Sequence, residues 1–281
     1  MGKKYELTTD TKIRFGRKLF RIKALVSFGN VKAGELGGYV EDEKNLSQNG
    51  DAWVCDNAEV CDNARVCGNA WVCGNARVYD NAWVCGNAWV CGNARVYGNA
   101  WVCGNAWVCG NAWVYDNAEV CDNARVCDTA MVFGDAKVFN NAEIYGNANV
   151  YDDANVFGDA EVCDNAEVCG NAWVYGNAWV CDNARVYDNA WVCGNAWVCG
   201  NADYVCAKGL GSACRSTTFF KCKNGDIGVA CGCFNGNLEE FAKKVKDTHG
   251  DSKYAKEYLA MIEVVKIHFE WEDNDDNERG V

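Results

Sequence analysis

Alanine recurs at every sixth position from Ala52 to Ala202, 26 times with no miss and no insertion. Two residues after each alanine stands valine, from Val54 to Val198, with Ile144 as the one exception. The unit reads Gly/Asp-Asn-Ala-x-Val-Cys/Tyr/Phe. Strand alternation within Ala-x-Val-Cys sends Ala and Val to one side and the x residue and Cys to the other. Gly or Asp followed by Asn makes the corner, because these residue types tolerate turn conformations, including positive φ. A strand this short cannot bury its own face, but stacked coils can.

The larger period is three hexads. Segments 71–88 and 89–106 differ only at Asp80 against Gly98. Three hexads per coil make a triangular prism. Residues 50–202 supply about eight and a half coils, a rod of about 40 Å at the spacing of neighbouring strands. Sorting the outward residues by this period gives three faces. The first carries Trp53, Trp71, Trp89 and Trp107, each followed two residues later by Cys. The second pairs Arg77 with Tyr79 and Arg95 with Tyr97, then Trp113 with Tyr115. The third carries Trp83 and Trp101 with Cys85 and Cys103.

A small residue and an aliphatic one at this spacing resemble the hexapeptide-repeat proteins. The resemblance covers residues 50–202 and implies a left-handed triangular parallel β-helix. The preceding segment VKAGELGGYVEDEKNLSQNGDAWV (31–54) and the later GCFNGNLEEFAKKVKDTHGDSKYAKEY are similar to bacterial and prophage hexapeptide-repeat proteins labelled transferases or polymer-forming cytoskeletal proteins. Many hexapeptide-repeat proteins are acyltransferases, trimers that use a histidine as general base. Here the histidines are His249 and His268, both outside the prism, and the prism has no inserted loop to shape an acyl-donor cleft. Its aspartates, such as Asp56, Asp62, Asp80 and Asp116, fall at turn slots and read as corner residues.

Charge excludes other classes. Residues 50–202 carry 6 basic and 19 acidic side chains, a net of −13, against +4 for residues 1–49. The prism therefore repels phosphate backbones, and no nucleic-acid partner is expected. Ice binding wants threonine rows, which the outward slots lack. No apolar run is long enough to span a bilayer, and the start MGKKYELTTDTKIRF has no signal-peptide core. These features predict a cytoplasmic protein whose 20 cysteines are mostly reduced thiols.

The ends have their own signals. Residues 1–49 read as a β cap, 203–216 as a linker, 217–270 as a small ββαα module and 271–281 as an acidic disordered tail. Asn224-Gly225 between β-rich runs predicts a hairpin. Asn237 with Glu240 predicts a capped helix ending at His249-Gly250, and a second helix begins near Ser252. Cys231 and Cys233, two apart on one strand, would share a face. Cys222 across the hairpin and His249 nearby would complete a tetrahedral zinc set. The same residues also fit plain packing or a Cys–His catalytic pair.

The reading that follows is a mainly β, non-catalytic solenoid scaffold. Its outer ladders (Trp53, Trp71, Trp89, Trp107, Trp83, Trp101, Arg77, Tyr79, Arg95 and Tyr97) would face a protein partner or further copies of the chain. The alternatives are an acyltransferase-like enzyme and a thiol-rich metal-binding protein. No cofactor is expected, with zinc or another soft metal as the variant that the thiols allow.

Overall fold

A computed structural model describes residues 2–14 and 16–270. The acidic tail expected at 271–281 lies outside them.

The hexads form the predicted solenoid. Each contributes a strand of two residues, such as Trp53–Val54 or Arg77–Val78. Each strand pairs in parallel with the strand three hexads away, so Trp89 lies between Trp71 and Trp107. Three sheets of 11, 9 and 8 strands form the three faces. The repeat's inward residues from Ala52 to Val198 fill the interior and are 0–1 % exposed, whereas Ala202, the last alanine of the series, is exposed beyond the final coil. Each buried valine contributes about 1.5–3 kcal/mol relative to an exposed one, so the short strands are held by the shared core.

The corners explain the Gly/Asp-Asn pair. Gly68 and Asp56 have φ of 69° and 55°, and the same left-handed geometry recurs at every turn from Gly50 to Gly194. Where Asp takes this slot its carboxylate links coils: the Gly74 N–H donates to Asp56 Oδ2 at 2.9 Å and the Gly98 N–H to Asp80 Oδ2 at 3.1 Å. The Asn side chains form amide ladders along the edges. Asn63, Asn81, Asn99 and Asn117 each donate to the next coil, at 3.2, 3.1, 2.9 and 2.8 Å, and the last donates to Asp135. The corner aspartates are therefore structural, as their spacing implies.

The amino-terminal cap is a long antiparallel hairpin, Tyr5–Arg14 with Arg17–Ala24, followed by Leu36–Val40. The solenoid begins earlier than the repeat does. Tyr39 pairs in parallel with Glu59, and Leu46 bridges to Val66. Gly38 permits this first rung: a Cβ there would lie 2.7 Å from the Ala58 carbonyl oxygen.

The carboxy-terminal module differs from the expected ββαα. Residues 203–216, read as a linker, contain the strand Tyr204–Leu210. It joins Arg215–Lys221, Ile227–Cys231 and Phe234–Asn237 in a four-stranded antiparallel sheet. The turn at 211–214, opened by a glycine, disguises a hairpin as a linker. Alternation then gives the sheet two buried faces. Phe220 and Ala230 join the solenoid core, whereas Phe219 and Val229 pack against the helices α1 (Leu238–His249) and α2 (Lys253–His268). The capping box of Asn237 and Glu240 starts α1 as predicted. The sheet closes the last coil: the Trp191 N–H donates to Thr218 Oγ1 at 2.9 Å, and Lys223 N–H to the Asn195 carbonyl at 3.1 Å. No described helix is long and apolar enough to cross a membrane.

Candidate functional site: aromatic and thiol columns on the outer faces

The residues expected to form outer ladders divide by depth. Trp83, Trp89, Trp101 and Trp107 are 43, 45, 45 and 39 % exposed. They stand on the two faces that meet at the corner Gly86-Asn87. Trp71 is half-buried and stacks on Trp89, with centroids 6.0 Å apart. Trp53 corrects the expectation. It is fully buried, with Tyr5 and Phe28 set edge-on against it at 6.4 and 5.4 Å. The cap folds over the first coil there, which a repeat-based sorting of faces cannot show.

The second face is shaped differently. Arg77 turns to Glu59, 3.4 Å away, and Glu59 also meets Lys12 of the cap at 2.9 Å. Arg95 lies over the Trp113 ring at 4.6 Å, a cation–π contact. Tyr79, Tyr97, Tyr115, Phe133 and Tyr151 form one continuous ring stack, with centroids 4.8–5.0 Å apart and planes within 4°. The spacing is that of the strands themselves, so the backbone register sets the stack. Between the two tryptophan-rich regions the outward slots turn polar and pair along the rod, as in Arg125–Glu143 and Lys137–Glu119, both at 3.4 Å.

The thiols also have a structural partner that sequence reasoning missed. The Trp101 indole N–H donates to Cys85 Sγ at 3.2 Å, Trp107 to Cys91 at 3.1 Å and Trp179 to Cys163 at 3.0 Å. In each pair the indole belongs to the coil after the thiol's. The sequence signal is the recurrence of Trp at the outward slot just before the next Cys of the same column. Cys181 and Cys199, one coil apart, are joined as a disulfide.

Five stretches, 58–74, 70–86, 88–104, 178–194 and 184–200, match the family model of the YdcK beta solenoid repeat. Each starts at an inward alanine and ends at a corner glycine. The chain is a repeat β-solenoid protein. No curated protein matches it.

Three of the solenoid thiols, Cys61, Cys73 and Cys103, are held protonated well above the usual thiol range. Burial, then the Asp62 charge, pushes Cys61 up to about 12. Burial and the flanking thiols of Cys121 and Cys85 do the same for Cys103, also to about 12. Hydrogen bonding with Cys55 is the main cause raising Cys73 to about 12. Only the thiolate is a nucleophile. Alkylation of the folded protein by iodoacetamide is therefore expected to be slow at pH 7 and to keep accelerating beyond pH 10. Unfolded thiols level off near their ordinary pKa of about 8.5. Because the folded state retains these protons longer, the thiols favour folding fully below about pH 8.5, and that contribution fades as pH rises towards 12. Stopped-time alkylation with mass readout checks the first trend, and urea midpoints at pH 7, 9 and 10 check the second.

The expected zinc set does not assemble. The hairpin pairs Lys221 with Ile227 and Thr217 with Cys231. Cys222 thus sits beside the Asn224-Gly225 turn, at the far end from Cys231, and the two pack into different cores. Gly232-Cys233 is itself a tight turn, with Cys231 paired to Phe234, so Cys233 is exposed and off the strand. The His249 ring stacks on Tyr258 at 5.9 Å. The run DIGVACGCF reads as one strand but contains two, and that misreading is what places Cys231 and Cys233 together. His268 Nε2 lies 3.1 Å from the Ala202 carbonyl, where α2 meets the end of the rod. Glu41, Cys61 and Asp62 do converge, and the Arg17 guanidinium bridges both carboxylates, 3.0 Å from Glu41 Oε1.

Proposed function

We propose that the chain is a rigid, non-catalytic scaffold rod of the cytoplasm, whose tryptophan-bearing faces bind a protein partner or further copies of itself. The observation that carries this reading is the cluster Trp83, Trp89, Trp101 and Trp107, each 39–45 % exposed about one corner. Large exposed apolar patches mark interaction sites in soluble proteins, and tryptophan is prominent among residues that dominate binding energy. Both ends of the rod are closed by non-repeat sequence, so its sides are the surfaces that repeat. Self-association is the simplest form of this reading. Native mass spectrometry of the wild-type chain is expected to give a multimer whose indole emission resists acrylamide. The variant W83S/W89S/W101S/W107S, unchanged in circular dichroism, is expected to be a monomer. A wild-type monomer whose exposed indoles are freely quenched, with no partner retained on purification, would sink the proposal.

A further inference from the structure

The outward cysteines form vertical columns. On the first face Cys55, Cys73, Cys91, Cys109 and Cys127 follow one another in successive coils, locked by the parallel register of the valines before them. Tyr145 interrupts this column, and Cys163, Cys181 and Cys199 resume it. On the third face Cys67, Cys85, Cys103 and Cys121 form a column that ends at Phe139. One adjacent pair is already bonded: Cys181 and Cys199, with Cα atoms 4.5 Å apart. That span is within the usual disulfide range of about 4.4–6.8 Å. The strand register that brings this pair together, Val180 to Val198, is the same as between every other adjacent pair in the columns.

We propose that the two remaining columns, Cys55 to Cys127 and Cys67 to Cys121, are sites of oxidative modification, in which a two-electron thiol oxidant closes disulfides between successive coils of the folded rod. With a peroxide, one thiol gives up its proton and its thiolate attacks the O–O bond, becoming a sulfenic acid as hydroxide leaves and takes up a proton to become the first water. The neighbouring thiol likewise loses its proton, its thiolate attacks that sulfur, the S–S bond forms, and the departing hydroxide takes up the second proton as a second water. The two sulfurs lose two electrons in total, and the peroxide gains them.

The column geometry fixes the products. A five-membered column closes at most two bonds and keeps one thiol, and a four-membered column closes two. The leftover thiol lies in line with its neighbour's disulfide, the approach that thiol–disulfide exchange requires. Exchange therefore moves a bond by one coil and leaves the count unchanged. Cys61 and Cys169 supply internal controls. The slot one coil after Cys61 holds Tyr79, and Tyr151 and Tyr187 flank Cys169, so neither has a thiol on an adjacent coil of its column.

The test uses the full chain, reduced with dithiothreitol, cleared of it and treated with diamide in the absence of denaturant. Residual thiols are alkylated and peptides mapped by mass spectrometry. The expected crosslinks join cysteines of successive coils within a column, reverse with dithiothreitol, and leave Cys61 and Cys169 alkylated. In C85S, Cys67 is expected always free, with the Cys103–Cys121 bond kept and the column's maximum reduced from two bonds to one. In Y145C, the introduced thiol is expected to crosslink to Cys127 or Cys163. Columns that remain fully alkylatable after diamide would overturn the proposal. So would crosslinks between faces or between molecules, or a C85S variant that keeps two bonds in its column.

Discussion

Replacing Trp53 with alanine will loosen the amino-terminal cap and leave the rest of the rod intact. Trp53 is fully buried beneath Tyr5 and Phe28, in the space that Gly37 leaves open: a Cβ on Gly37 would stand 2.7 Å from its ring. Truncating a buried tryptophan costs about 3–5 kcal/mol, the transfer term plus the cavity. Its indole nitrogen has no hydrogen-bond partner, so the loss is one of packing. Coils touch only their neighbours, so the damage stays local. Hydrogen exchange should accelerate across Tyr5–Arg14 and Arg17–Ala24 while strands beyond residue 100 keep their protection. W89A removes the same atoms from a side chain that is 45 % exposed. Without an assembly to disturb, it should cost well under half as much. Equal losses for W53A and W89A in urea unfolding would show that the cap does not hold Trp53 as described.

The second large effect is expected at Val108. It is fully buried in the middle of the rod, among columns made only of Ala, Val and one Ile. No donor in the interior could receive a carboxylate. Val108→Asp therefore places an unpaired charge in an apolar core, a change that ranks with the most destabilising, above about 4 kcal/mol. The expected signature is a shape change as well as a shift. A solenoid behaves as a chain of coupled units, so breaking the coupling at its centre should split one urea transition into two. C109D, one residue along but facing outward, should keep a single transition. A single, unshifted transition in V108D would contradict the inward assignment of the repeat's valines.

Much of this was readable from the residues. The three-hexad period, the inward Ala and Val, the corner role of Asp and the membership of each face all follow from alternation and counting, because a strict repeat leaves the register no freedom. The ends were harder for a physical reason. Trp53 belongs to the repeat by sequence but to the cap by packing, and only the folded hairpin of residues 5–24 decides which. Gly211 and Gly232 each mark a turn between strands, yet Gly-rich text reads equally as a linker or as one uninterrupted strand. The cysteine–histidine set failed on the second of these turns. The N–H···S contacts were missed because each Trp was paired with the Cys of its own coil, while the indole reaches along the same face to the thiol of the coil before.

The caps and the coils also differ in what they let vary. The cap on each end is a unique fit to one particular rung, through Gly38 at the start and Thr218 and Phe220 at the finish. Between them, segments 71–88 and 89–106 are interchangeable but for one corner residue. Insertion or loss of one such segment leaves both junctions untouched and changes their separation by about 4.8 Å. The molecule is thus a ruler with graduated steps, whose length can be reset by gain or loss of whole coils without any new interface having to be invented.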